Sequence, residues 1–137
     1  MPGDVFVDTS AFFALLVARD PRHARCSELV QELAQRRGRA ITSEAIIGET
    51  CTLLQARKQG HLIGDFLNYV EAARALTVLP ADRELFQRTK AYLRRRYEHG
   101  FSFVDCSSFL LMADYHLTDA LTTDEHFRSA GFNPLLC

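Results

Sequence analysis

The chain lacks the features that would assign it to a membrane protein or to a secreted, disulfide-bonded protein. Its longest apolar run, from Ala11 to Ala18, is far shorter than the roughly 20 residues that cross a bilayer. No targeting segment is recognisable, and the four cysteines show no CxxC spacing. We therefore expect a soluble, cytoplasmic protein with reduced thiols and no membrane contact.

Other absences narrow the kinds of binding site that the chain can form. The five histidines do not combine with the cysteines at zinc-ligand spacing, which argues against a zinc site. No GxGxxG or GxxxxGKS/T motif follows the first predicted strand, which excludes nucleotide binding through a glycine loop. Because the net charge is only −1, a nucleic acid would have to be bound by a local basic patch.

The composition is that of one ordinary globular domain. Of the 137 residues, 47% are hydrophobic and 24% are charged, which is enough to bury a core without disulfides. No repeat, low-complexity segment or linker divides the chain. We expect a single domain over residues 1–137.

The start of the chain predicts the centre of the fold. The β-branched and aromatic residues at 5–7 predict a strand buried on both faces, and the apolar run that follows predicts a helix. Asp8, Thr9 and Ser10 lie at the junction. Asp8 would either cap the helix or point into the crevice at the carboxyl end of a central strand, where open α/β sheets bind ligands.

Strands and helices alternate along the rest of the chain. The predicted strands cover residues 40–42, 76–79 and 120–122, with a last edge strand at 132–135. The predicted helices between them cover residues 43–59, 62–74, 82–97 and 102–115. This alternation predicts an α/β fold in three layers, with a mostly parallel sheet of four to five strands flanked by helices.

Several residues predict where helices begin and end. A second helix is predicted to run to about Gln35; Pro21 suits its first turn, and Gly38 is its candidate C-cap. Ser43 is a candidate N-cap of the next helix. Ser102 and Asp105 have the spacing of a capping box, in which a serine and an acid three residues later bond each other's backbone N–H groups.

Four acidic residues are predicted to meet at one edge of the sheet. Asp8 and Asp124 both follow apolar strands, and the carboxyl ends of parallel strands share an edge. Asp105 begins a late helix, while Glu49 lies mid-helix at the border of the apolar stripe, either half exposed or turned inward. The three aspartates also have local capping explanations, so a structural role stays open for each of them.

Four carboxylates this close would repel and raise one another's pKa, so they would not all stay ionised without a cation. Mg²⁺ or Mn²⁺ is the expected ion, because hard ions prefer oxygen ligands and leave room for waters and substrate phosphates. Such a site performs in-line phosphodiester chemistry, often with two metals.

A basic cluster ends the helix predicted over residues 82–97. Its last turns carry Lys90, Arg94, Arg95 and Arg96. Cations at a helix C-terminus interact favourably with the helix dipole, which is sufficient to explain them. A patch that faces the phosphates of a nucleic acid is the alternative.

Four segments together resemble a known family. These are residues 7–10 (VDTS), 46–50 (IIGET), 103–109 (FVDCSSF) and 121–127 (LTTDEHF). In order and spacing they are similar to the motifs of the PIN domain, the small metal-dependent ribonuclease fold used by VapC-type toxins of toxin–antitoxin pairs. The resemblance covers nearly the whole chain; each motif alone is weak, but the four in order are fairly specific.

The resemblance implies an enzyme that hydrolyses RNA with one or two Mg²⁺ or Mn²⁺ ions and leaves a 5′-phosphate. By match of motif, Asp8, Glu49, Asp105 and Asp124 are the metal-binding acids. Ser10 is the small polar residue that holds a water of the metal or orients Asp8. An antitoxin protein as partner and a homodimer are also implied.

Two other metal-dependent families fit less well. A HAD-type phosphatase needs a second aspartate where Ser10 lies, and a response-regulator receiver needs a late lysine, whereas the last lysine here is Lys90. The rival from another class is a PIN-fold module that binds RNA or protein with little or no turnover. His126 is interpreted as a packing or surface histidine, and Asp114 and Asp119 as surface residues.

Overall fold

The computed structural model describes residues 3–137. In chain order its main elements are β1 Val5–Val7, α1 Thr9–Leu16, α2 His23–Gln35, β2 Ala40–Ser43, α3 Glu44–Ala56, α4 Ile63–Ala72, β3 Leu76–Leu79, α5 Arg83–Arg96, α6 Phe103–Asp114, β4 Asp119–Leu121, α7 His126–Ser129 and β5 Asn133–Pro134. Short 3₁₀ turns lie at Gly60–Leu62 and Tyr97–His99. Within the described range, every helix is too short or too polar to traverse a lipid bilayer.

The five strands form one sheet in the order β3-β2-β1-β4-β5, and every pairing is parallel. The predicted α/β fold with a mostly parallel sheet flanked by helices is therefore confirmed, and the sheet is wholly parallel. All three residues of β1 are at most 3% exposed. Because successive strand residues point to opposite faces, this burial means that both faces of the sheet are covered.

Aromatic side chains fill the space between the sheet and its helices. Phe6 of β1 packs near Phe127, with ring centroids 6.5 Å apart. Phe109 of α6 meets Phe127 edge to face at 4.9 Å. On α1, Phe12 packs against Phe66 of α4 at 5.2 Å. These contacts join the first, middle and last thirds of the chain in one core.

The chain changes direction across the sheet at β1. From β1 it proceeds to β2 and β3 on one side, and later crosses to β4 and β5 on the other. The crevice outside the carboxyl ends of β1 and β4 is therefore a topological switch point, the position where open α/β sheets bind ligands.

Two predicted caps are confirmed and two boundary predictions are wrong. Ser43 accepts a hydrogen bond from the N–H of Ile46, and Ser102 forms the reciprocal capping box with Asp105. The second helix begins at His23 rather than at Pro21, because the Asp20 carboxylate holds the preceding turn by accepting from the N–H of Arg22 at 2.8 Å.

Gly38 is also not the left-handed residue that ends α2. That residue is Arg37, with φ 56°. Gly38 is needed for space, since a Cβ there would lie 2.2 Å from the carbonyl oxygen of Gly3 and 2.3 Å from the side chain of Leu33.

Candidate active site

A cleft of about 520 Å³ opens at the carboxyl ends of β1 and β4. All five sequence-predicted site residues line it. The full lining consists of Asp8, Thr9, Ser10, Glu49, Thr52, Leu53, Ala56, Gly100, Ser102, Asp105, Asp124 and His126. Segments far apart in the chain thus contribute acidic side chains to a single cleft, as the alternation of strands and helices predicted.

Asp8 precedes α1 at its N-cap position, but its side chain makes no capping hydrogen bond. Instead, the hydroxyl of Thr122 donates to Asp8 Oδ2 at 2.7 Å. The side chain is therefore directed across the sheet edge toward β4, and the capping explanation for Asp8 is wrong.

The environment of Asp8 disfavours its negative charge. Asp8 is only 6% exposed, and burial raises its pKa to about 6, with the charges of Glu49 and Asp105 adding to the rise. The hydrogen bond from Thr122 and the nearby backbone N–H of Thr9 lower the pKa and partly offset this rise. An ionised Asp8 lacks a compensating positive charge within the described residues.

Glu49 of α3 is turned toward the cleft. Its Oε1 accepts a hydrogen bond from the hydroxyl of Thr9, at the start of α1. The structure combines the two predicted positions for Glu49, since the side chain is partly exposed and also faces the cleft.

Asp105, Asp124 and His126 form a compact group on the other side of the cleft. One potential ligand atom from each lies within 4.8 Å of the others. His126 Nδ1 is 3.3 Å from Asp105 Oδ2 and 3.5 Å from Asp124 Oδ1. The Asp105 side chain is 14% exposed and that of Asp124 35% exposed, so both remain accessible from the cleft.

Two of these aspartates also make local backbone contacts. Asp105 Oδ2 accepts from the N–H of Ser102 at 3.2 Å, and Asp124 Oδ1 accepts from the N–H of His126 at 2.9 Å. The capping explanation for Asp105 is therefore confirmed, and it coexists with a position in the cleft. A carboxylate has two oxygens and about four lone-pair directions, so a cap does not exhaust its capacity as a ligand.

Ser10 joins the ends of β1 and β4. Its hydroxyl lies 3.4 Å from Asp8 Oδ2 and 3.2 Å from Thr122 Oγ1, and it accepts from the N–H of Thr123 at 3.0 Å. The Thr122 hydroxyl in turn accepts from the N–H of Asp124 at 3.0 Å. This network fixes the spacing of the two strand ends and the direction of Asp8.

Sequence reasoning missed three residues of this arrangement. Thr9 and Thr122 bond the carboxylates of Glu49 and Asp8. His126 packs against Phe101 and is partly exposed, as predicted, but it also lines the cleft beside Asp105, which was not predicted. The available signal for Thr122 was its position, since it is a polar residue directly after a buried strand. For His126 the signal was its place within a motif that already contained an acid.

Asp114 and Asp119 lie outside the cleft, as predicted. Asp114 is on the surface and makes a bidentate pair with Arg88, with N···O distances of 2.7 and 2.9 Å. Asp119 begins β4, is partly buried, and accepts from the side-chain amide of Asn133 at 3.1 Å.

The residues of the cleft fit a hard divalent cation. Four carboxylates supply oxygen ligands, the donors that Mg²⁺ and Mn²⁺ prefer, and one imidazole nitrogen lies beside them. A cation would also neutralise the buried charge of Asp8, for which the described residues supply no counter-ion. The cleft therefore has the capacity to bind a metal, although the donor set does not choose between the two ions.

The parallel sheet with an acidic cleft at its switch point fits the PIN domain. The PIN domain family model matches residues 5–133, and the chain belongs to this family. It is 33% identical over 128 residues, 93% of this chain and 95% of the relative, to the 23S rRNA-specific endonuclease VapC20 of two Mycobacterium tuberculosis strains.

A solved structure shows the same relationship. The chain superposes with a TM-score of 0.83 on the crystal structure of Mycobacterium tuberculosis VapC20, a sarcin-ricin loop cleaving toxin. The sequence identity is 30%, and the match covers 93% of this chain and 95% of that one.

Proposed function

We propose that this protein is a metal-dependent endoribonuclease that acts as the toxin of a toxin–antitoxin pair. The observation that carries the proposal is the cleft in which Asp8, Glu49, Asp105 and Asp124 meet, beside Ser10. A chain of the PIN family that retains all these acids has the donor set that phosphodiester hydrolysis requires.

In this proposal Asp8, Glu49, Asp105 and Asp124 hold one or two Mg²⁺ or Mn²⁺ ions. When bound, such ions activate a water as nucleophile and stabilise the oxygen that leaves the phosphorus. When the 3′ oxygen is the one that leaves, the product carries a 5′-phosphate.

The other polar residues keep the acids in place. Thr122 and Ser10 direct Asp8 toward the cleft, and Thr9 does the same for Glu49. Because the Asp105 carboxylate can only accept, its hydrogen bond with His126 requires the proton on Nδ1. We assign His126 the role of orienting Asp105, since partners of this kind fix the direction of a metal-binding side chain.

The substrate we propose is 23S ribosomal RNA, cut in its sarcin–ricin loop. This follows the activity of VapC20, whose fold and length the chain shares. We also propose an antitoxin protein as the partner, a homodimer as the assembly, and the cytoplasm as the compartment. The compartment agrees with four cysteines that are all unpaired, two of them buried.

Cleavage of a synthetic sarcin–ricin stem-loop tests the proposal. We expect products with 5′-phosphates in Mg²⁺ or Mn²⁺ and none in EDTA. Asp105→Asn should abolish the products, because it removes one carboxylate charge from the cleft. Asp114→Asn is the matched control, since Asp114 lies at the other end of the same helix and outside the cleft.

Each alternative has its own result. Cleavage of other RNAs but not of the stem-loop would retain the nuclease and reject the ribosomal target. RNA binding without any metal-dependent product, from a folded protein, would favour the rival function of a PIN-fold binding module. Equal cleavage by wild type and Asp105→Asn would reject the proposed site.

A further inference from the structure

The polypeptide between α5 and α6 forms one wall of the acidic cleft. We call residues 94–101 the α5–α6 corner; it comprises the last turn of α5, the 3₁₀ turn Tyr97–His99, and Gly100 with Phe101. Gly100 lines the cleft, as does Ser102 directly after the corner. Gly100 adopts φ 76°, the left-handed conformation that glycine tolerates, and this turns the chain from α5 into the cleft wall.

The corner carries a concentration of positive charge. Arg94, Arg95 and Arg96 are exposed, and none of them has an ion-pair partner among residues 3–137. Glu98 is the single acid of the corner. The guanidinium groups of Arg95 and Arg96 lie over the ring of Tyr92, at 5.9 and 5.4 Å from its centroid. The charges are therefore held next to an aromatic surface.

The corner also exposes aromatic rings. His99 is exposed and stacks in parallel on the buried ring of Phe101, with centroids 5.1 Å apart and planes at 9°. Tyr97 is 67% exposed. The helix dipole accounts for cations at the end of α5, but it does not account for uncovered rings beside them.

The exposed ring of His99 is close to the proposed catalytic residues. Phe101, on which it stacks, meets the ring of His126 edge to face at 5.4 Å. His126 in turn lies 3.3 Å from Asp105. The rings of Phe101 and His126 thus form a continuous series of contacts from His99 to Asp105 in the cleft.

We propose that the α5–α6 corner binds single-stranded RNA beside the scissile phosphate. An unpaired base stacks on the exposed face of His99, and the arginines contact the neighbouring phosphates. Aromatic stacking combined with positive charge is the general way in which proteins hold unpaired RNA. The inference rests on the proposed function, and it assigns to the corner the positioning of substrate rather than chemistry.

The test measures affinity rather than cleavage. Fluorescence anisotropy would follow a labelled, unstructured RNA of about ten nucleotides, within the usual site size, in EDTA. His99→Ala should weaken binding by about 5- to 150-fold, the range for loss of one stacked base. His99→Phe should restore it, because a phenyl ring stacks without needing a proton or a charge.

A charge-matched pair of double variants tests the arginines. Arg95→Gln/Arg96→Gln should weaken binding and make it less salt-dependent, by about 0.7 in the log–log slope for each phosphate that is no longer neutralised. Arg36→Gln/Arg37→Gln removes the same charge from the turn between α2 and β2, outside the cleft, and should leave affinity and slope unchanged.

The outcomes separate this inference from the function on which it rests. The stacking site would be rejected if His99→Ala bound RNA with wild-type affinity, or if His99→Phe lost as much affinity as His99→Ala. It would also be rejected if Arg36→Gln/Arg37→Gln lost as much affinity as Arg95→Gln/Arg96→Gln. If wild type cleaves RNA but any of these results is found, the stacking site is rejected and the proposed nuclease function is retained. If wild type neither binds nor cleaves RNA, both proposals fail. Thermal unfolding by circular dichroism verifies that each variant is folded.

Discussion

At the scale of single residues, the burial of Asp8 dominates the energetics of the cleft. Burial to 6% exposure and two neighbouring acids destabilise the anionic form of this carboxylate unless a cation compensates it. Its pKa of about 6 means that, without metal, part of the population is protonated near neutral pH. The ionised Asp8 therefore lowers the free energy of unfolding in the absence of metal, and a bound cation can offset this loss.

This burial predicts a pH dependence of stability in EDTA. Because the pKa of Asp8 is raised in the folded state, the folded protein holds the proton more tightly than the unfolded chain. The free energy of unfolding should therefore fall as the pH rises from about 4 to about 6, by on the order of 3 kcal/mol, and then level off. Asp8→Asn should be the more stable protein above pH 6, and inactive.

Urea unfolding at several pH values measures this effect as the difference between wild type and Asp8→Asn. Asp114→Asn is the contrasting control, because the bond with Arg88 lowers the pKa of Asp114. The difference in free energy of unfolding between Asp114→Asn and wild type should have the opposite sign and be smaller, since the Arg88–Asp114 pair is exposed. A difference for Asp8→Asn that does not vary with pH would contradict the prediction.

Single residues also show which features of the site can be predicted from the sequence and which cannot. The four acids could be predicted because each lies in a recognisable motif at the end of a strand or in a helix. The hydrogen bonds of Thr9 and Thr122 could not, because they join residues 40 and 114 positions apart. Nor could the contact of His126 with Asp105, which depends on how α6 and α7 pack.

At the scale of elements, three helices end in the same strained way. Arg37, Lys58 and His116 follow α2, α3 and α6, and each adopts a positive φ between 55° and 59°. In each case the next residue bonds back to the helix, such as the N–H of Gln59 to the carbonyl of Leu54 at 2.7 Å. This is the Schellman pattern, and glycine is the usual residue at its left-handed position.

Lys58→Gly should therefore stabilise the protein. Glycine removes the steric cost of a Cβ in the left-handed region, partly offset by the entropy of a more flexible unfolded chain, for a net gain of about 0.5–1 kcal/mol. Urea unfolding measures the gain. Lys58→Ala is the control, since it removes the charge but keeps the Cβ. Equal stability of the glycine and alanine variants would show that strain at this position is negligible.

The elements themselves could be predicted where local chemistry decides them. Ser43 and the pair Ser102–Asp105 are caps whose hydrogen bonds span three residues, so the sequence contains all the information. Gly38 was predicted for the wrong reason because Gly3, which is distant in sequence, is brought near it only by the pairing of β1 with β2. Features that depend on neighbouring residues can be predicted from the sequence, whereas close approaches between distant segments cannot.

At the scale of the whole molecule, the proposed function makes metal binding in the cleft dependent on folding. Its acids belong to four separate segments, so the unfolded chain offers no comparable site. A ligand that binds only the folded state at 100 times its Kd stabilises that state by about 2.7 kcal/mol.

We expect Mg²⁺ or Mn²⁺ to raise the Tm by roughly 5 to 15 °C at such concentrations. Differential scanning calorimetry measures the shift, with KCl at equal ionic strength as the reference. Asp105→Asn should show a much smaller rise, because it removes one of the ligands. An equal rise in both proteins would mean that the ion binds elsewhere.

The parallel sheet also has a consequence for the protein during its own synthesis. Asp8 is translated long before Asp124 and the two strands on its side of β1. A nascent chain therefore lacks one side of the cleft until the residues around Asp124 have emerged. Under the proposed function, a potentially lethal enzyme remains harmless to the ribosome that is making it, and truncated products of translation stay inactive.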